Sequence, residues 1–149
     1  MYKHIIIYLL GISLLTSCTN IQPYKMTGQH NLSITSNTES SVKTAIDIYK
    51  VDNSCKLHYQ GTVSINKQHT SVSLPDGQKT YLVISFSSSS FWSSSSSNMS
   101  QETILKPVKG NKYQLKLNYF DAIYNIELSS KKKNRKPVEV ALKGLENCH

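Results

Sequence analysis

Tyr113-Gln114-Leu115-Lys116-Leu117-Asn118-Tyr119 places an apolar or aromatic side chain at every odd position and a polar one at every even position. Successive side chains of a β-strand point to opposite faces, so this period of two predicts a strand with one buried face. The same period runs through Leu57-His58-Tyr59-Gln60-Gly61-Thr62-Val63-Ser64-Ile65, with the odd positions expected on the buried side. Working outward, residues 44–51, 70–74, 80–86, 102–105, 123–128 and 138–142 read as shorter strands bounded by turn residues. Residues 138–146 also admit a short helix, but no segment carries the sustained period of a long amphipathic one. Seven to eight short strands in about a hundred residues predict an all-β fold, an antiparallel β-sandwich.

Two stretches are variants of one unit: Leu74-Pro75-Asp76-Gly77-Gln78-Lys79-Thr80-Tyr81-Leu82 and Pro107-Val108-Lys109-Gly110-Asn111-Lys112-Tyr113-Gln114-Leu115. Proline fixes φ entering a turn, glycine supplies positive φ, and the aromatic opens the next strand, expected to face the core. Over residues 43–130 this pattern resembles the small transthyretin-like and PEGA-like sandwich domains of bacterial envelope proteins. The resemblance implies a fold and no particular activity.

The chain opens with Lys3 and His4, continues through the apolar run Ile5 to Leu15, and reaches small residues before Cys18. That is the layout of a signal peptide over residues 1–17, its apolar run too short for the roughly 20 residues of a spanning helix. Leu15-Thr16-Ser17-Cys18 resembles the bacterial lipobox, which implies cleavage before Cys18 and acylation of its thiol. Multiple acyl chains hold a protein stably on a bilayer where one does not. Thr19, in place of Asp, resembles lipoproteins sorted to the outer membrane where the source has two membranes. Residues 18–42 are polar and read as the lipidated N-terminus and a flexible tether, with a coil span of about 27 Å for 24 residues. The sandwich is then expected over residues 43–149.

With Cys18 assigned to lipid, Cys55 and Cys148 remain as an even pair, and an oxidising compartment predicts a disulfide between them. No Cys-x-x-Cys occurs, and His58 and His149 lack a carboxylate or second histidine at ligand spacing, so no metal site is expected. No motif implies a cofactor.

The formal charge is +8 from 17 Lys+Arg against 9 Asp+Glu. Lys131, Lys132, Lys133, Arg135 and Lys136 form one run, and without it and Lys3 the chain is almost neutral. This run is the candidate contact for an anionic membrane or acidic envelope polymer, with nucleic acid not expected outside the cytoplasm. Phe91 and Trp92, set within a serine-rich insert, are its candidate hydrophobic companions at a lipid interface. No Gly-x-Ser-x-Gly or recognisable acid, base and nucleophile set occurs. The expectation is a non-enzymatic, lipid-anchored envelope protein that binds or assembles with another component. An accessory lipoprotein of a secretion or transport system and an envelope hydrolase are the alternatives.

Overall fold

The structure is a computed structural model describing residues 21–89, 96–121 and 123–148. Its strands are β1 Leu32–Thr38, β2 Val42–Val51, β3 Leu57–Ile65, β4 His69–Val72, β5 Thr80–Ser89, β6 Ser96–Leu105, β7 Lys112–Phe120, β8 Ile123–Lys131 and β9 Val138–Glu139. Two sheets, ordered β4-β1-β7-β8-β9 and β3-β2-β5-β6, face each other as an all-β sandwich. Ile46 and Ile48 from β2, Ile84 and Phe86 from β5, and Leu115 and Leu117 from β7 fill the space between them. Phe86 lies between Tyr119 and Tyr124, with ring centroids 5.4 and 5.9 Å away.

The tether expected over residues 18–42 is corrected from Gln22 onward. Leu32 and Ile34 are 1% and 0% exposed, and Ile34 lies between Thr70 of β4 and Leu115 of β7. The segment reads as polar because only two apolar residues point inward while Ser33 and Asn37 point to solvent. Its strand state comes from backbone bonding to neighbours on both sides, which local composition does not reveal. β1 also departs from the antiparallel rule. It pairs parallel with β7, from Leu32 opposite Tyr113 to Thr38 opposite Tyr119, because both strands start at the same end of the sandwich.

β3 does not keep one buried face along its whole length. Ile48 pairs with Gly61 but Tyr49 pairs with Tyr59, so Gln60 is an extra residue in a bulge. Gly61 has φ +136°, and a Cβ there would stand 2.5 Å from the Tyr24 Cα. Val63 and Ile65 keep the inward face, but beyond the bulge Leu57 and Tyr59 turn outward and are 37% and 42% exposed.

The termini close the two open sides. On one side, Thr62 N–H donates to the Gln22 carbonyl at 2.8 Å and Tyr24 N–H to the Thr62 carbonyl at 3.0 Å. The Tyr24 hydroxyl then reaches the Ser73 carbonyl at 2.8 Å, linking the β3 edge to the opposite sheet. On the other side, Val140 N–H donates to the Leu128 carbonyl and Ile104 N–H to the Lys143 carbonyl, both at 2.8 Å. Val140 and Leu142 pack against the core as the chain crosses, which limits the expected strand over 138–142 to Val138–Glu139. In place of the alternative helix, only a 3₁₀ turn forms, Leu145–Asn147.

The register sorts the connections by end. Residues 52–56, 73–79, 106–111 and 132–137 lie at what we term the disulfide end. Residues 39–41, 66–68, Asp121 and the strand ends Ser89 and Ser96 lie at the far end.

Candidate functional site

The β2–β3 hairpin is organised by Asp52. Its Oδ1 accepts from the backbone N–H of Ser54 at 2.8 Å and of Lys56 at 3.0 Å, and its Oδ2 meets His58 Nε2 at 2.9 Å. The His58 bond, followed by those backbone donors, holds the Asp52 carboxyl at a pKa of about 2, below its ordinary 3.8. His58 therefore does have a carboxylate partner, brought back by the turn. The turn also sets Cys55 at φ 59°, facing the C-terminal segment.

Cys55 and Cys148 form a disulfide with Cα atoms 5.9 Å apart. Cys148 is buried against Val51 and Tyr81 on the outer face of the β3-β2-β5-β6 sheet, with Leu145 packed beside them. Lys79 Nζ donates to the Cys148 carbonyl. Tyr81, expected to face the inter-sheet core, instead belongs to this second cluster, while the matching Tyr113 does face the core. The alternation of β5 assigns the core to Leu82, Ile84 and Phe86, so Tyr81 must point the other way. Burial and the bond from its hydroxyl to Glu102 push the Tyr81 pKa upward. Tyr49 stands 5.4 Å from Tyr59 and 6.2 Å from Tyr81, continuing the aromatic surface toward solvent.

The basic run Lys131, Lys132, Lys133, Arg135 and Lys136 is exposed at the disulfide end. It is not alone there. Lys106, Lys109 and Lys112 rise from the β6–β7 corner, Lys56 from the β2–β3 hairpin and Lys79 from the β4–β5 corner. Across residues 52–56, 73–79, 106–112 and 131–137 there are ten bases against two acids, Asp52 and Asp76. That excess of eight equals the formal charge of the whole chain, +8. The far-end residues 39–41, 66–68 and 121 hold one base, Lys67, against Glu39 and Asp121. The close contacts between basic and acidic side chains among the described residues are His58 with Asp52 and Lys116 with Glu127, and neither uses any of the ten bases.

Backbone bonding holds these loops in place. Gly77 N–H donates to the Pro107 carbonyl at 2.7 Å, joining the two corners. The buried Asn31 side chain donates to the Leu74 carbonyl and accepts from the Leu74 N–H, each at 2.8 Å. The Tyr113 hydroxyl accepts from Val108 N–H at 3.0 Å, and Lys112 Nζ donates to the His30 carbonyl at 2.6 Å. Sequence reading finds the contiguous run but misses the other five bases, which are scattered along the chain and meet only because alternate strands return to one end.

Cys18, Phe91 and Trp92 lie outside the described residues. The strands flanking the serine-rich insert end at the far end, about 30 Å along β5 from the basic loops. The basic run and the strand ends flanking Phe91 and Trp92 thus belong to opposite ends of the sandwich. A polar cleft of about 500 Å³ also opens at the far end, lined by Asn37, Glu39, Lys43, Asn66 and Lys67 among others. Among the described residues no three His, Cys, Asp or Glu side chains come together as a metal site. The chemistry best developed on the molecule is therefore the concentration of fixed positive charge on a braced end. No family model matches the chain, and a search of curated proteins finds no match.

Proposed function

We propose that the chain is a non-enzymatic cell-envelope lipoprotein, anchored through acylated Cys18, whose sandwich acts as a binding or assembly component. The observation that carries this reading is the cysteine arithmetic completed by the fold. Cys55 and Cys148 are joined to each other, which favours an oxidising compartment and leaves Cys18 of the three cysteines for another use. Cys18 is also the cysteine of the Leu15-Thr16-Ser17-Cys18 motif, preceded by an apolar run of signal-peptide length. The outer membrane is the destination where the source has two membranes, since Thr19 follows the cysteine.

The test is mass spectrometry of protein extracted from membranes. An N-terminal peptide beginning at Cys18 and carrying acyl mass is expected. A soluble product with an unmodified Cys18 thiol overturns the reading.

A further inference from the structure

We propose that the disulfide end of the sandwich is a docking face for an anionic phospholipid surface, against which the domain stands upright. The anchor that holds it there rests on the lipoprotein reading above, while the docking face stands on charge and topology.

The loops of the disulfide end, with the adjoining Lys112 and Lys131, carry an excess of eight bases, whereas at the far end Lys43 and Lys67 balance Glu39 and Asp121. A molecule polarised in this way orients in the field of an anionic surface with its basic end inward. That field extends about 10 Å at 0.1 M salt, enough to reach the loops of one end but not both. Val108 and Val138, 53% and 65% exposed, stand among these lysines and supply small apolar contacts at the same end.

Gln22 is already bonded to the β3 edge, so only four residue steps separate it from Cys18. Four steps reach at most about 14 Å, which keeps the domain on the bilayer surface, unlike the 24-residue tether expected from composition. Pro23 pairs parallel with Thr62, and β3 runs from the disulfide end to the far end. The chain therefore enters this pairing from the disulfide side. The anchor thus leaves the fold in the direction of the charged end, and its reach matches the roughly 13 Å of β3 from Gly61 back to Leu57.

The competing end bears exposed Phe120 and Ile123, but it also bears Glu39 and Asp121, with the Glu39 carboxylate accepting from Asp121 N–H at 2.8 Å. Lys43 and Lys67 only balance these carboxylates, so no net charge draws this end to an anionic surface.

The test uses the chain from Thr19 onward, without lipid. Every buried residue among those described lies between Asn31 and Cys148, so this chain keeps the whole core. It is expected to sediment with vesicles of phosphatidylcholine containing phosphatidylglycerol and not with phosphatidylcholine alone. Near an anionic surface each lysine contributes about fivefold in affinity, so replacing Lys131, Lys132 and Lys133 by alanine weakens binding about a hundredfold. Replacing Lys106, Lys109 and Lys112 has a comparable effect, and replacing Lys43 and Lys67 at the far end has little.

Lysine acetylation read by mass spectrometry gives the orientation without mutation: Lys109 and Lys132 become protected on anionic vesicles, while Lys43 and Lys67 stay reactive. Equal binding to neutral vesicles, or protection of Lys43 and Lys67 instead, overturns the proposal. Binding to polyglutamate with none to anionic vesicles also overturns it, in favour of an acidic macromolecule. Acylation of Cys18 is read separately on the full chain. Docking without acylation removes the anchor alone, and acylation without docking removes the face alone.

Discussion

Replacing Cys55 with serine opens a loop of sequence separation 93 that encloses β3 through β9. In the chain-entropy account, closing such a loop in the unfolded chain is worth about 4.7 kcal/mol at 25 °C, with measured losses for native bridges of about 2 to 5 kcal/mol. Cys55 is only partly buried in its hairpin, so serine there adds little cavity or desolvation cost to the loop term. For a domain of this size each kcal/mol moves the melting temperature by about 4 °C, so Tm is expected to fall by about 15 to 20 °C. The assay is thermal unfolding followed by circular dichroism, with the wild-type protein under reducing conditions as a second route to the same open loop. Both routes should give similar falls. The turn around Asp52 and the packing of Leu145 on the outer face should loosen first, because the bridge ties them together. A fall below about 4 °C, about 1 kcal/mol, refutes the reasoning, as does alkylation of both thiols in the oxidised native protein.

Two further outcomes follow from particular residues. Ile34→Ala removes a fully buried side chain between β4 and β7 and is expected to cost about 2 to 5 kcal/mol in a denaturant titration, whereas a tether position costs close to nothing. Because the Asp52 pKa is lowered to about 2, its bonds to His58, Lys56 and Ser54 contribute stability fully above pH about 4 and lose it as pH falls through about 2. A carboxyl NMR titration should give that midpoint, and His58→Ala should raise it toward the ordinary value. A midpoint unmoved by His58→Ala removes the pair from the account of the hairpin.

The sequence by itself determined the strands of strict period two and the corners that join them. In β7 every inward residue is apolar and every outward one polar, so the face is readable without neighbours. The corners are equally local, since Pro75 with Gly77 and Pro107 with Gly110 restrict the backbone whatever surrounds them. The expectation that Cys55 pairs with Cys148 needed Cys18 set aside first, through the resemblance of Leu15-Thr16-Ser17-Cys18 to a lipobox.

Only the tertiary structure decided the rest. β1 has two buried apolar side chains and owes its strand state to the ladders with β4 and β7, neither of which is adjacent to it in sequence. The pattern of β3 holds from Gly61 to Ile65 and is lost from Leu57 to Gln60, all exposed, because the bulge lies where the backbone at Tyr24 approaches Gly61. The basic end follows the same logic. Five lysines scattered from Lys56 to Lys112 join the run from Lys131 to Lys136 only because alternate strands reverse direction and return their loops to one place. Periodicity and turn chemistry act over a few residues and are written locally, whereas register, bulges and the summed field of a surface depend on which distant segments the fold makes neighbours.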